Sequence, residues 1–476
     1  MTVSTSTGEG YGAWPARFWR ASHGAPARKL ALPPMPLAPP HLSPLALTSR
    51  AFVEAVAPGG KGEPQAFRAY RRFFREGVTD EAPAIGVIPP VVRSLREETE
   101  EGPTFKFVTR LDRPIDADAL AANRRTRTGE SRDIGRDRSL TVAARSEADA
   151  GAAETETNRR LHLGVLASDD RVRHLDVESV IIPMVGQKGR RTHTLCVSSQ
   201  VGCAMGCGFC ETAQMGLVRS LTASEIVAQW FNATHRHETE DGVPRRIDNI
   251  VFMGMGEPMD NAHEVLRAIE ILTDHNGPGV PMSKVTVSTV GRIDGLRLLS
   301  KKLLNPGWRK MGLAVSINAP NDEIRSRIMP INRSMPMGDL RDALLEMPHQ
   351  GTRKVCFEYV LIPGVNDQRE HARELGEYLE PFGKIGGDFT PRGMVNLIPY
   401  NPRRNSPWPA PTEEQTERFL RWLMDERLFV KRRRTKGRSQ MAACGQLGTP
   451  DIRKRKFVGE HEPDHDRACE PADRSA

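Results

Sequence analysis

The chain has 476 residues, 38% of them hydrophobic, and its formal net charge at pH 7 is +8. This length is enough to bury a large core. No apolar run approaches the roughly 18 residues that a membrane span needs, so the composition favours a soluble protein and argues against membrane insertion. The positive charge suits a polyanionic partner such as a nucleic acid.

Both ends of the chain and one internal segment predict disorder. Residues 1–50 are rich in Ala, Pro, Leu and Ser with a single acid, Glu9, which predicts a disordered extension, with an organelle transit peptide as the alternative. Residues 109–160 are highly charged and poor in large apolar groups, so we expect a disordered insertion there. The charged tail, 449–476, is expected to be disordered as well.

A small helical module is predicted over residues 51–108. Two segments, PQAFRAYRRFFREGV and VVRSLREETEEG, are predicted helices, and in the first of them arginines and aromatic residues are interleaved. Such a basic module suits RNA binding, although a solvated charged face is the commoner explanation.

Residues 161–448 alternate between predicted strands and amphipathic helices, which indicates an α/β domain. LHLGVLA, VESVIIPMV and THTLCVSS are predicted strands, and TASEIVAQWFNATHR is a predicted helix that begins with a Thr cap and a Glu three residues on. The strands NIVFMG, SKVTVSTVG, MGLAVSINAP, KVCFEYVLIPG and MVNLIPYNP follow, each with its helix. Near-continuous apolar strands are typical of a parallel sheet covered by helices. Six such units favour a partial (β/α)6 barrel over an open sheet.

Polar and sulfur-bearing residues fall where these strands end. They are the cysteine loop after THTLCVSS, Gly256 with Glu257, Ser288, Ser316 and Asn401. In α/β barrels the carboxyl ends of the strands carry the active site. The sequence therefore predicts a site at this edge.

Four of the seven cysteines lie between Cys196 and Cys210, and Cys203, Cys207 and Cys210 have a C-x3-C-x2-C spacing. This clustering differs from a secreted disulfide framework. Three thiolates on one short loop can hold three irons of a cubane cluster and leave the fourth iron open. The alternative is a structural zinc site.

These motifs together resemble the radical S-adenosylmethionine RNA methyltransferases that modify carbons of an adenine ring, the RlmN/Cfr-like family. The matching pieces, in family order, are VESVIIP, TLCVSSQVGC-x3-C-x2-FC, LTASEIVAQ, GMGEP, VTVS, APNDEIR, NLIPYNP and AACGQL. Two residues depart from the pattern: Asn318 stands where the family has a histidine, and Glu211 is unusual after the last cluster cysteine.

The resemblance implies two cofactors, a [4Fe-4S] cluster and two molecules of S-adenosylmethionine per turnover. Cys203, Cys207 and Cys210 would bind the cluster. The implied contacts with S-adenosylmethionine are Gly256, Glu257, Ser288, Ser316, Ile317, Asn318 and Asn401. Glu257 would accept a hydrogen bond from the amino group of the methionine moiety.

The resemblance also implies three catalytic side chains. Cys444 would become S-methylcysteine, and a 5′-deoxyadenosyl radical would remove a hydrogen from that methyl group. Cys196 would then release the methylated base by forming a transient disulfide with Cys444, and Glu178 would accept the proton from the adduct. The alternatives from the residues alone are small buried thiols and a solvated strand-end carboxylate.

The implied reaction is methylation of C2 of adenine in 23S rRNA, with tRNA as a further substrate. The same chemistry at C8 or on another RNA stays open. A radical activase, a thioether-forming enzyme and a zinc-stabilised RNA-binding protein are the rival classes. The expected electron donor is a flavodoxin or ferredoxin, no membrane partner is expected, and the expected location is the cytoplasm, with an organelle as the alternative. The basic run from Lys431 to Arg434 is a candidate for gripping RNA phosphates.

Overall fold

A computed structural model describes residues 43–79, 88–111, 175–186, 189–237, 245–348, 354–387, 390–433 and 441–448. The predicted strand LHLGVLA and the tail 449–476 lie outside these residues, as do most of the extension 1–50 and of the insertion 109–160. Order begins earlier than expected, because a 3-10 turn at Pro44–Ala46 precedes the first helix, α1 (Ser49–Val56). No helix in the described ranges has the length and apolar character that crossing a bilayer requires.

The second helix, α2 (Glu63–Glu76), confirms the prediction for PQAFRAYRRFFREGV and packs against the rest of the protein. Tyr70, Phe73 and Phe74 are almost fully buried. The ring of Phe73 stacks on that of Phe231, with 4.7 Å between centroids. The aromatic face of this helix therefore belongs to the main core.

The helix predicted over VVRSLREETEEG is wrong. This segment forms strand β1 (Val91–Thr99), which pairs antiparallel with β2 (Gly102–Leu111). Its side chains are mostly exposed or half-buried, so an edge strand of this kind leaves little alternation of apolar residues to read. Gly102, at φ 119°, adopts the left-handed backbone that the turn needs. The strand β2 also extends to Leu111, inside the expected insertion.

The remaining strands confirm the predicted α/β fold. They are β3 (Leu175–Val185), β4 (Arg191–Cys196), β5 (Gln200–Gly202), β6 (Leu217–Ser220), β7 (Asn249–Phe252), β8 (Val285–Thr289), β9 (Gly312–Ser316), β10 (Val355–Leu361), β11 (Gly393–Pro399) and β12 (Val430–Arg432). One ten-stranded sheet has the order β1-β2-β3-β4-β7-β8-β9-β10-β11-β12. The strands from β4 onward are parallel, whereas β1 to β3 form an antiparallel extension.

Helices lie between these strands, and all of them except the short first one, in the antiparallel hairpin of β5 and β6, follow the predicted alternation with parallel strands. They are α3 (Glu211–Gln214), α4 (Ala223–Phe231), α5 (Ala262–Leu272), α6 (Ile293–Leu303), α7 (Asp322–Ile328), α8 (Met337–Leu345), α9 (Arg369–Tyr378) and α10 (Glu413–Asp425). The capping box at the start of α4 is present, with Thr222 and Glu225 as its two members. The cysteine loop lies between β5 and β6 of the antiparallel hairpin. The sequence patterns did not predict α7 or β12.

The packing of α2 predicts a large cost for truncating its central aromatic residue. Phe73→Ala should lower the free energy of unfolding by about 3–5 kcal/mol, because the lost ring leaves a cavity against Phe231. Chemical denaturation would measure this difference. Arg68→Ala, at an exposed position of the same helix, is the control and should change stability by less than about 0.5 kcal/mol. Equal effects of the two variants would contradict the packing described.

Candidate active site

One cavity at the carboxyl ends of the parallel strands brings together most of the predicted site residues. Of the thirteen, ten line it: Cys203, Cys207, Cys210, Gly256, Glu257, Ser288, Ser316, Asn318, Asn401 and Cys444. Glu178, Cys196 and Ile317 do not line this cavity. The fold thus gathers segments that lie more than two hundred residues apart in the chain.

The cysteine loop is held in shape by tight turns and by side chains from outside it. Gly202 has a φ of 74°, and a Cβ there would lie 1.8 Å from the carbonyl oxygen of Gly216, so only glycine fits. Arg403 Nε donates to the carbonyl oxygen of Gly208 at 2.6 Å. Gln214 Nε2 donates to the carbonyl oxygens of Cys207 and Cys210, each at 3.3 Å. These contacts fix the backbone that carries the three thiols.

The three thiols are suited to an iron–sulfur cluster. Burial raises the pKa of Cys203, Cys207 and Cys210, and neighbouring thiols raise that of Cys203 and Cys207 further. A cationic group bound there would remove the protons and relieve this repulsion. No three His, Cys, Asp or Glu side chains in the described ranges converge on a single ion. A cubane fits this arrangement because each thiolate binds a different iron.

Gly256 and Glu257 form the wall next to the cysteine loop. Gly256 has a φ of 100°, and a Cβ there would lie 2.6 Å from that of Gln200. Burial raises the pKa of Glu257 to about 7. Its carboxylate accepts hydrogen bonds from Thr289 Oγ1 at 2.6 Å and from the backbone N–H of Val290 at 2.9 Å. Glu257 therefore ties the ends of β7 and β8 together. Its predicted contact with S-adenosylmethionine stays a prediction.

Glu358, on β10, is a cavity residue that the sequence analysis missed. Ser288 Oγ and Ser316 Oγ donate to its Oε2 at 2.6 and 3.1 Å, so one buried carboxylate orients two of the predicted cofactor contacts. Arg433 Nη1 lies 3.8 Å from the other oxygen, Oε1. A charged residue within the apolar strand KVCFEYV is the signal that points to it.

The segment from Ser316 to Asn318 has two different environments. Asn318 has a left-handed backbone, at φ 53°, and its Oδ1 accepts from the backbone N–H of Val360 at 3.0 Å. Asparagine tolerates that conformation better than most residues. Ile317 is fully buried in the main apolar core, so its side chain packs there and does not line the cavity.

Cys444 connects the first cavity with a second one. The second cavity is lined by both Cys196 and Cys444, together with Met253, Asn401 and Arg433. The two cysteines are free thiols. Burial raises the pKa of Cys196 to about 12; burial also raises that of Cys444, whereas the neighbouring Arg433 guanidinium lowers it. The structure thus brings the predicted methyl carrier and its predicted resolving thiol to one space.

Glu178 is buried, which makes the solvated strand-end alternative wrong. Its side chain lies on β3, forms a 2.8 Å ion pair with Lys106 of β2, and accepts from the backbone N–H of Gly448 at 2.8 Å. Sequence reasoning missed Lys106, because a lone lysine in a predicted helical module carries no signal of its own.

Glu211, the residue that departs from the family pattern, joins three segments. Its backbone N–H donates to the carbonyl oxygen of Gly445 at 2.7 Å, and its Oε2 accepts from the backbone N–H of Arg404 at 3.1 Å. It therefore links the cysteine loop to the strand-end loop after β11 and to the segment that carries Cys444.

Comparisons with known proteins show which family this chain belongs to. A family model described as the radical SAM superfamily matches residues 197–376. The chain is 42% identical over 283 residues to a probable dual-specificity RNA methyltransferase, RlmN 1, of Protochlamydia amoebophila, which covers 59% of this chain and 72% of the relative. The chain belongs to the RlmN family.

Other comparisons extend this family assignment. A dual-specificity RNA methyltransferase RlmN of Lawsonia intracellularis is 41% identical over 274 residues, with 57% of this chain and 72% of the relative covered. The crystal structure of a radical SAM methyltransferase from Sphaerobacter thermophilus matches with a TM-score of 0.63 and 29% identity, over 85% of this chain and 98% of that one. The predicted radical SAM fold is confirmed, and RlmN-family membership means that this chain uses a [4Fe-4S] cluster and S-adenosylmethionine.

The assignment of the three cluster cysteines predicts a specific loss of iron. Anaerobically purified wild-type protein should be brown and hold about four irons per chain. Cys207→Ala should lose most of that iron, because one of three thiolates is missing. Cys356→Ala, which changes a cysteine of β10 that does not line the site cavity, should keep it. Wild-type protein that is colourless and binds zinc tightly would contradict the cluster assignment.

Proposed function

We propose that this chain methylates C2 of an adenine in RNA, with 23S rRNA as the first candidate substrate and tRNA as the second. The single observation that carries the proposal is the position of Cys444, which borders both the cavity with the three cluster cysteines and the cavity with Cys196. Relatives more than 40% identical to this chain are named dual-specificity RNA methyltransferases, which supports RNA as the substrate.

A carbon such as C2 requires a different route from a nitrogen or an oxygen. It has no lone pair with which to attack the methyl group of a sulfonium. When bound, the cluster and S-adenosylmethionine supply the radical chemistry that this carbon needs. The chain must supply a sulfur that carries the methyl group, a base and a way to release the product.

Cys444 is the proposed methyl carrier, since a thiolate is an effective nucleophile towards a sulfonium methyl group. Its electron pair forms the new S–CH3 bond as the methyl–sulfonium bond breaks. Arg433 borders the same cavity and stabilises the negative charge of that thiolate. Glu358 opposes this effect, because its carboxylate raises the pKa of Cys444.

Cys196 is the proposed resolving thiol. Its thiolate attacks the sulfur of Cys444, the bond between that sulfur and the transferred carbon breaks, and a disulfide remains. An external reductant then restores the two thiols. Glu178 is the proposed acceptor of the proton that leaves the adduct carbon, and its two oxygens are held by Lys106 and by the backbone of Gly448.

Two arginines of the basic run from Lys431 to Arg434 contact other parts of the protein, and the role of this run in gripping RNA phosphates stays a prediction. Arg432 pairs with Glu413 and Glu417, and Arg433 borders the cavity that is lined by Cys196 and Cys444. Lys431 is exposed, and Arg434 lies outside the described residues. Methylation at C8 or on another RNA, the flavodoxin or ferredoxin donor and the cytoplasmic location stay predictions.

Single replacements of the two thiols test the proposed chemistry. Cys196→Ala should accumulate protein joined covalently to RNA, because nothing breaks the sulfur–carbon bond. Cys444→Ala should form neither this adduct nor methylated adenine. Denaturing gels and mass mapping of modified adenosines would detect the two products. Methyl transfer at the wild-type rate in both variants would contradict the roles of the thiols, and mapping to C8 would contradict C2.

The proximity of Arg433 predicts a pH shift in the reactivity of Cys444. Arg433→Met removes the charge that lowers the pKa of this thiol, so that pKa should rise. The pH profile of Cys444 alkylation should move to higher pH, and the rate at a fixed pH below the pKa should fall, because less of the thiol is ionised. Mass spectrometry of the alkylated peptide measures this. Lys431→Met, which removes an exposed charge of the same run, should leave the profile unchanged; a shift equal to that of Arg433→Met would contradict the prediction.

A further inference from the structure

A buried ion pair lies outside the parallel part of the sheet, on its antiparallel extension. Lys106 and Glu178 are 5% and 6% exposed, and their charged atoms are 2.8 Å apart. Lys106 lies opposite Val180 and Glu178 opposite Val108, so the two are diagonal neighbours on one face of β2 and β3. Removing one member would leave the other charge buried and unpaired, which is strongly destabilising.

Each member of the pair also holds one end of the segment 441–448. Lys106 Nζ donates to the carbonyl oxygen of Met441 at 3.1 Å. The backbone N–H of Gly448 donates to Glu178 Oε2 at 2.8 Å. Cys444 lies between these two points. The segment has neither helix nor strand, so contacts of this kind determine where it lies.

The middle of the segment depends on other parts of the protein. Thr212 Oγ1 donates to the carbonyl oxygen of Leu447 at 2.5 Å, and the carbonyl oxygen of Gly445 accepts from the backbone N–H of Glu211 at 2.7 Å. Asn401 Nδ2 reaches the carbonyl oxygen of Cys444 only at 3.5 Å. Gly445 and Leu447 are therefore held by the cysteine loop. Met441 and Gly448, at the two ends, are held by the ion pair.

We propose that Lys106 is a positioning residue for methyl transfer, acting through Glu178 and through both ends of the segment 441–448. It keeps the Glu178 carboxylate paired and oriented, and the pair spans the segment so that Cys444 stays at the junction of the two cavities. The antiparallel extension of the sheet therefore serves the reaction as well as the fold. The role of Lys106 in methyl transfer rests on the proposed function of Cys444. The effect of Lys106 on the backbone of residues 441–448 does not depend on that function.

The experiment uses full-length holoenzyme with Lys106→Met and, separately, Glu178→Gln. Hydrogen exchange of the 441–448 peptide reports on the tether without any turnover. Mass spectrometry of Cys444 after addition of isotope-labelled S-adenosylmethionine reports on the rate of its methylation. Arg110→Met is the matched control, because it breaks the ion pair with Asp176 between the same two strands without touching this segment.

Both variants should speed exchange in 441–448 about 10-fold and slow methylation of Cys444 about 10-fold, since a buried hydrogen bond is lost in each. Arg110→Met should leave the exchange rate and the methylation rate within about twofold of their wild-type values. The double variant of Lys106 and Glu178 should be no worse than the worse single one. Unchanged exchange and methylation in Lys106→Met would overturn the inference, as would equal losses in Arg110→Met or additive losses in the double variant.

The design separates this inference from the proposed function. A wild-type protein that never carries label on Cys444 would refute the proposed function, whereas the exchange measurement would still test the tether. If Lys106→Met fails to fold, Glu178→Gln decides, because glutamine is nearly isosteric with glutamate but has a single acceptor oxygen, which cannot serve both Lys106 and the backbone N–H of Gly448. Wild-type exchange in that variant would overturn the inference.

Discussion

The site depends on holding a segment without secondary structure against a loop that carries three buried thiols. Residues 441–448 form neither a helix nor a strand, so their position depends on contacts with other elements. The cysteine loop provides two of these contacts, through Glu211 and Thr212. The antiparallel strands provide two more, through Lys106 and Glu178. Buried polar groups are costly when a hydrogen-bond partner is missing. The geometry of the site therefore depends on the pairing of β2 and β3, which carry Lys106 and Glu178.

Two charged side chains, Arg433 and Glu358, lie close to the thiols Cys196 and Cys444. Arg433 borders Cys196 and Cys444, and its partner Glu358 in turn accepts hydrogen bonds from Ser288 and Ser316. One buried carboxylate thus connects the two serines at the strand ends with the arginine that borders the two thiols. Because a buried charge is costly without a partner, these groups are expected to depend on one another.

Burial explains why the thiols differ from ordinary surface cysteines. Loss of hydration raises the pKa of Cys203, Cys207 and Cys210, because burial penalises the charged thiolate. The same effect acts on Cys444, where Arg433 counteracts it. Desolvation therefore raises the pKa of the cysteines in the loop and of Cys444 alike. At Cys444 the guanidinium of Arg433 lowers the pKa again.

The sequence by itself determined the α/β class, the order of the parallel strands and the cysteine spacing. These features are local: strands buried on both faces are apolar throughout, and three ligands on one loop need no distant partner. Of the thirteen candidate residues that the motifs named, ten line the cavity. The sequence failed at β1, where an exposed edge strand has no clear period. The side chain of Ile317 packs into the core, and its predicted contact with S-adenosylmethionine stays a prediction.

Only the tertiary structure decided which charges meet. Lys106 and Glu178 are 72 positions apart in the chain, and Glu358 and Arg433 are 75 apart, so no local pattern pairs them. Their partners are fixed by strand register and by the path of the chain after β12. A lysine or an arginine has the same local signature whether it is solvated or buried, and its role depends on what the fold brings within a few ångströms of it.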